Sequence, residues 1–282
     1  MVKYRRIAAV EGGSSLVDDR SWEEFLIPYE QAVEELKVKF RGIRKELKKR
    51  NEYSPIEFVT GRIKKISSIL EKANKLGIPL DRLEEVEDIT GIRIMCQFVQ
   101  DIDRVAELVR QRSGKDMTLV YEKDYIKNEK PSGYRSHHII IKYPVHTSQG
   151  EKEILAEIQI RTLAMNFWAT IEHSLNYKYE GNIPEDIRER LRTTAEAAYL
   201  LDTEMSEIRD EIRDAQQMFE YKSNIVSRIL QGIQNLYQRG FVVEATEFQN
   251  EFRQMRARGD VSELRQLSRT IRAKIQEVRT RE

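Results

Sequence analysis

The chain has 282 residues, of which 40% are apolar and 34% charged, with a formal net charge of +1 and one cysteine, Cys96. That apolar content suffices for a core and excludes a disordered chain, while near-neutrality excludes a global basic field, so any nucleotide or nucleic-acid site must arise from local clustering. A single cysteine excludes an internal disulfide and a Cys-rich zinc site, and no apolar run approaches the ~20 residues of a membrane span, so a cytoplasmic chain with no membrane segment is expected.

Taken in order, residues 1–20 read as a loose tail whose short apolar stretch does not make a signal peptide. Ser21 with Glu24 forms a capping-box pattern, and Phe25, Tyr29, Ala32, Leu36, Phe40, Ile43 and Leu47 recur at helical spacing, which predicts a helix from Trp22 to Arg50. A short strand is expected at Ile56 to Thr60, a basic helix at Lys64 to Leu76 closed by Gly77, and a further turn of helix at Arg82 to Glu87. Ile89 to Phe98 reads as a strand, followed by a helix that Asp101 caps and Gly114 ends. Met117 to Tyr121 is a strand, and Lys123 to Arg135 a long loop. His137 to Val145 and Glu153 to Thr162 make a hairpin around Ser148 to Gly150.

A helix from Ala164 to Tyr179 follows, with Gly181 past its end. From Pro184 onward the pattern is helical, broken at Gly240 and Gly259, with Asp260 and Glu263 as a capping box for a last helix. Leu264, Leu267, Ile271, Ile275 and Val278 line one face of that helix. The fold class is α+β: a mixed sheet flanked by helices, then an all-helical C-terminal region.

Four stretches concentrate polar residues. In Val59-Thr60-Gly61-Arg62-Ile63-Lys64-Lys65, cations gather at a helix N-terminus, which suits a polyphosphate but is equally an ordinary solvated basic face. In Glu87 to Ile94, Asp88 stands at a strand entry with Arg93 just inside it. Asp88 is either a hard oxygen ligand for Mg²⁺ or a turn residue paired with that arginine. Lys130-Pro131-Ser132-Gly133-Tyr134-Arg135-Ser136-His137-His138 offers an aromatic face for a base, and Arg135 and His138 as phosphate-binding types. A turn with a half-buried tyrosine is the plainer alternative. His137 and His138 point to opposite faces if they lie on a strand, so only one can serve a site.

The fourth stretch is the most informative. Period-2 alternation from Leu155 to Thr162 puts Glu157, Gln159 and Arg161 on one face, either an edge facing water or an active-site floor. The following helix carries Asn166, Trp168 and Glu172. Trp168 is expected to pack that helix on the sheet and bring Asn166 and Glu172 to the same region. Zinc-protease, serine-hydrolase, dinucleotide-fold and Walker motifs are all missing, and four histidines and one cysteine make a transition-metal site a poor fit.

The runs Phe58 to Lys64, Glu87 to Arg93, Gly133 to Ser136 and Glu157 to Thr162 resemble, in the same order, the synthetase domain of RelA/SpoT homologues. Asn166 to His173 resembles the stand-alone small alarmone synthetases of RelQ type. The likeness covers roughly 21–215, leaving 216–282 as a helical extension. It implies a nucleotidyltransferase-like fold that moves the β,γ-pyrophosphate of ATP to the ribose 3′-hydroxyl of GDP or GTP. On the same resemblance, Arg62 and Arg93 would sandwich adenine, and Lys64, Ser68 and Lys72 would meet ATP phosphates or ribose. Asp88 and Glu157 would hold Mg²⁺, with Glu157 also the base for the 3′-hydroxyl. Tyr134 would stack on guanine with Asn166 helping to read it, Lys130 and His138 would meet the acceptor's phosphates, and Gln159 would support Glu157.

The HDxxED motif of the family's hydrolase domain is missing, so synthesis without hydrolysis is expected. Relatives of this type imply a homotetramer with an alarmone effector between subunits. The alternative is a catalytically inactive nucleotide- or RNA-binding regulator on the same fold, against which the presence of both Asp88 and Glu157 argues. From Arg253 to Glu282 nine Arg and Lys outnumber four Asp and Glu. That stretch is either a solvated helical hairpin or a contact for single-stranded RNA or another subunit.

Overall fold

The structure, a computed structural model, describes residues 19–179, 183–258 and 260–281. The expected tail before Asp19, and the helix-ending roles of Gly181 and Gly259, lie outside the described residues. The chain forms two compact units that divide between Ser206 and Glu207.

The first unit opens with α1 (Asp19–Lys49), which buries Tyr29, Ala32, Val33, Leu36 and Phe40 along one stripe. The helix begins two residues ahead of Ser21, so Ser21 lies in its first turn and is not the cap that the local pattern predicts. Five strands follow: β1 (Phe58–Ile63), β2 (Thr90–Cys96), β3 (Thr118–Asp124), β4 (His137–Thr147) and β5 (Gly150–Thr162). They form one sheet in the order β1-β2-β5-β4-β3, antiparallel except for the central β2–β5 pair. The predicted hairpin is present, longer than expected, with Thr147 paired to Gly150 across a two-residue turn.

One face of the sheet presents Ile92, Ile94, Ile139, Ile141, Ile158 and Ile160. This apolar face packs in a single cluster with α1, α2 (Ile66–Leu76) and α3 (Val99–Arg110). At Gly61 α1 approaches the strand closely, since a Cβ there would sit 2.7 Å from Val33 Cγ1. Gly77 closes α2 in the left-handed region at φ 69°, as the sequence predicts. The N-cap of α3 is Phe98, not Asp101. Asp101 is instead fully buried in the first turn, accepting a hydrogen bond from Tyr53 Oη at 2.5 Å and pairing with Arg104 at 3.2 Å. One distant partner, Tyr53, with a guanidinium one turn along α3, outweighs a local capping bond for a buried carboxylate.

α4 (Leu163–Lys178) follows β5 directly, and Thr162 Oγ1 accepts the Met165 N–H at its start. α5 (Glu185–Gln238) is a 54-residue helix that contributes to both units. Trp168 departs from expectation. It packs on α5 beside Ala195 and Leu191, and its indole N–H donates to the Leu191 carbonyl at 2.9 Å and to Thr194 Oγ1 at 3.1 Å. The N–H needs an acceptor when buried, and the Thr194 hydroxyl and the second lone pair of the Leu191 carbonyl supply it.

In the second unit, Ile225, Ile229, Ile233 and Leu236 of α5 pack with α6 (Val242–Arg258) and α7 (Val261–Arg281). Gly240 ends α5 at φ 86°, and Asp260 Oδ1 accepts the Ser262 N–H at 2.7 Å as a cap for α7. The predicted α7 stripe is buried at Leu264, Leu267, Ile271 and Val278. No helix among the described residues is long and apolar enough to cross a membrane.

Candidate active site

The second face of the sheet is polar. Register places Arg93, Gln159 and His138 side by side on β2, β5 and β4, with Glu157 and Arg161 two residues to either side of Gln159. His137 points the other way and pairs with Glu122 at 2.8 Å, so His138 alone joins this face, as the alternation predicts.

Five side chains close a ring of hydrogen bonds. Arg161 Nη2 donates to Tyr134 Oη at 2.6 Å, and Tyr134 Oη lies 2.7 Å from His138 Nε2. His138 Nδ1 is 2.8 Å from Glu157 Oε1. Gln159 Nε2 donates to Glu157 Oε2 at 2.6 Å, and Arg161 Nη2 donates to Gln159 Oε1 at 2.5 Å. A neutral His138 with its proton on Nδ1 satisfies every member: the tyrosine donates to Nε2 and Nδ1–H donates to the carboxylate. Burial lowers the His138 pKa against the opposing pull of Glu157, in keeping with that neutral form. Burial pushes the Glu157 carboxyl up, but His138, the Gln159 amide and the Lys72 ammonium outweigh it and hold it at about 2. Glu157 is therefore a carboxylate at neutral pH.

Around this ring lies a cleft of about 440 Å³ whose walls include Arg62, Arg93, Lys130, Tyr134, Gln159 and Arg161, with Thr170, Glu172 and His173 contributed by α4. Burial, then the neighbouring Arg62 and Arg161 guanidiniums, lower the Arg93 pKa to about 10. Three guanidiniums facing one half-buried space repel one another, and an anionic ligand relieves that repulsion. The Lys130 ammonium stands 4.5 Å from the Tyr125 ring centre and 4.7 Å from that of Tyr134.

At the other end, Asp88 precedes β2 and receives two ammonium groups, Lys64 Nζ at 2.7 Å from Oδ2 and Lys72 Nζ at 2.9 Å from Oδ1. Ser68 lies one turn before Lys72 on the same side of α2. Lys72 is the common neighbour of both acids, since it pairs with Asp88 and depresses the Glu157 pKa. Among the described residues no group of three or more His, Cys, Asp or Glu gathers to hold a metal. Two hard carboxylates flanked by cations suit Mg²⁺ that takes its remaining ligands from phosphates and water.

Glu157 and His138 enter the site through the ring, and Asp88, Lys64, Ser68 and Lys72 through the group around Asp88, without lining the cleft themselves. Two predicted residues belong to neither group nor to the cleft. Arg135 is buried with its guanidinium on Glu129 and, at 2.7 Å, on Glu196, and it stacks 4.5 Å over Tyr199. It is not among the residues lining the cleft, because a buried guanidinium must keep its carboxylate partners. It fastens the loop to α5. Asn166 is half-buried one turn before Thr170 and does not line the cleft, and its Oδ1 is buried without a hydrogen-bond partner among the described residues. Conversely, Arg161 closes the ring although the sequence suggests no role for it beyond its place on the β5 face. Tyr125, in a loop with no periodicity to read, edges against both Tyr134 and His138.

A mixed sheet that holds an ionised carboxylate beside a cation-lined cleft defines a domain built to handle phosphorylated ligands. Residues 61–182 match the region found in RelA / SpoT proteins. The chain is 59% identical over 206 residues to GTP pyrophosphokinase YjbM of Bacillus subtilis, covering 73% of this chain and 97% of that protein. It is 38% identical over 194 residues to GTP pyrophosphokinase YwaC of the same organism, covering 68% and 91%. The crystal structure of small alarmone synthetase 1 from Bacillus subtilis bound to its product pppGpp superposes with a TM-score of 0.66 at 60% identity, over 69% of this chain and 99% of that one. The same enzyme bound to AMPCPP gives 0.61 at 56% identity, over 70% and 100%. The chain belongs to the RelA/SpoT family, among its small alarmone synthetases.

Proposed function

We propose that the protein is a (p)ppGpp synthetase that moves the β,γ-pyrophosphate of ATP to the ribose 3′-hydroxyl of GDP or GTP, without hydrolase activity. In this reaction the 3′-oxygen attacks the β-phosphorus, the bond from that phosphorus to the α–β bridging oxygen breaks, AMP leaves, and the hydroxyl proton is released. Such transfer depends on positioning and charge neutralisation more than on covalent help from the protein. The observation that carries the reading is the closed ring that pins an ionised Glu157 beside three guanidiniums and next to the Asp88–Lys72 pair.

In the proposed roles, Arg62 and Arg93 sandwich the adenine, while Lys64, Ser68 and Lys72 take ATP phosphates or ribose, the two lysines exchanging Asp88 for the phosphates. Asp88 and Glu157 hold Mg²⁺, which when bound neutralises phosphate charge. A carboxyl at about 2 suits a metal ligand better than a base at neutral pH, so a base role for Glu157 requires that bound substrates raise it. Tyr134 stacks on guanine once Lys130 leaves its ring for the acceptor's phosphates, His138 joins those phosphates, and Gln159 steadies Glu157. We keep Asn166 as a guanine contact through its unpartnered Oδ1, and give Arg135 an indirect part as the residue that sets the loop.

Catalysis would reside in residues 21–215 of a cytoplasmic protein, where ATP and GTP are at hand. A homotetramer fits the apolar groove of about 900 Å³ on α4 and α5, where Phe167, Ile171, Leu201 and Met205 are exposed; an alarmone effector between its subunits rests on the family resemblance.

Incubation with labelled ATP, Mg²⁺ and GDP or GTP, followed by nucleotide separation, should yield AMP and (p)ppGpp. Glu157→Gln should abolish product while ATP binding survives; normal turnover by that variant rejects the assignment. ATP binding without product in the native chain would instead identify a regulator on the same fold.

A further inference from the structure

We propose that the groove between α5 and α7 in the unit beginning at Glu207 is a binding site for single-stranded nucleic acid, with Arg228, Arg265, Arg269 and Arg272 meeting its phosphates. The family region, 61–182, lies wholly outside this unit. Nearly the full length of YjbM is matched by 73% of this chain, so this chain carries residues beyond that relative.

The four arginines are exposed and line one groove of about 660 Å³. Among the described residues no carboxylate lines it, and none of the four makes an ion pair there. The sequence shows why. Arg188, Arg192 and Arg213 each pair with an acid three residues earlier, whereas no Asp or Glu stands three or four residues from any of the four groove arginines. Arg265, Arg269 and Arg272 instead lie within one or two turns of each other on one face of α7, an arrangement that is unfavourable on an isolated helix and is relieved by an anion. Guanidiniums grip phosphate oxygens in a bidentate fork that an ammonium lacks.

Shape selects the anion. From Arg265 to Arg272 the row extends about 10 Å along the helix axis, longer than one phosphate needs and suited to successive phosphates of a strand. The floor is apolar, since α5 and α7 close up where a Cβ on Gly232 would lie 2.4 Å from Ile271 Cγ2. Tyr221, exposed, offers a ring for a base, and Gln231 and Asn235 are the polar amide side chains among the residues lining the groove. A single strand leaves its bases free to meet this ring and the apolar floor, whereas a duplex keeps them stacked inside.

The test is fluorescence anisotropy of labelled 12-nucleotide single-stranded RNA and DNA with the full chain across a salt series, with the matching duplex and polyglutamate as competitors. Each neutralised phosphate contributes about −0.7 to the slope of log affinity against log salt on single strands. The double variant R269S/R272S, and separately R228S from the other wall, should bind roughly tenfold more weakly. The slope should fall by about 1.4 in the double variant and about 0.7 in the single one. R269K/R272K should keep the native slope, and alarmone synthesis should be unchanged in all of them. Unaltered binding in both serine variants, no binding of either strand at low salt, or stronger competition by polyglutamate or duplex than by unlabelled strand would each overturn the proposal. The polyglutamate result would point to an acidic protein partner.

Discussion

Glu157 and Asp202 show that burial raises two carboxylates of one unit alike, and that the groups around each decide the outcome. Glu157 is surrounded by donors and stays ionised, whereas Asp202, buried at the start of the α4–α5 contact with Thr162 Oγ1 as its donor, is pushed up to about 6 by burial. The Asp202 folded value lies above its ordinary value of 3.8, so the folded state holds the proton more tightly. Its contribution is therefore favourable at low pH and is lost as pH rises from about 4 through 6. Asp202→Asn keeps an acceptor for the Thr162 hydroxyl and removes the ionisation penalty. It should stabilise the protein by about 1–3 kcal/mol at pH 7.5 and by much less at pH 4. Urea denaturation at the two pH values measures this, and an equal effect at both would show that ionisation of Asp202 is not the cause. Glu157 has the contrary sign: its stabilisation is present above pH 4.5 and is lost as pH falls toward 2.

Among the elements, the loop between β3 and β4 does the most to assemble the site, and it depends on one glycine. Gly133 adopts φ 83°, and a Cβ there would sit 2.6 Å from the Ala195 Cβ of α5. Both facts keep Tyr134 over His138 and Arg135 under Tyr199. Gly133→Ala should lower stability by about 1–3 kcal/mol and reduce synthesis along with it. Adding Ala195→Gly should return the part due to the clash and leave the part due to the left-handed backbone, a separation that a double-mutant cycle on denaturation midpoints reads directly. Full recovery would mean that backbone strain contributes nothing.

For the whole molecule, the exposed apolar side chains of α4 and α5 in the first unit form a patch that a solitary chain would leave in water. Phe167 is 68% exposed, more than any other large apolar side chain lining that groove. Fully burying such a side chain contributes about 1.5–3 kcal/mol per copy. Phe167→Glu should therefore shift the proposed tetramer to smaller species in light scattering while leaving the fold intact by circular dichroism. A native chain that is monomeric at micromolar concentration would reject the assembly.

Much of the domain was legible from local rules. Period-2 alternation placed Glu157, Gln159 and Arg161 on one face and separated His137 from His138, and helical spacing identified the α1 and α7 stripes, because strand and helix periods are properties of the backbone itself. The same local rules misplaced Ser21 and Asp101 as caps and read Arg135 as a ligand. A cap competes with partners that only folding brings near, such as Tyr53 for Asp101 and Glu196, 61 residues away, for Arg135. The ring from Arg161 through Tyr134 and His138 to Glu157 likewise required β4 to pair with β5 in one register and the loop to fold back over both. Which face each side chain takes was written in the neighbouring residues; which partner it meets was decided by strand register and helix packing, since those contacts join residues that are distant in the chain.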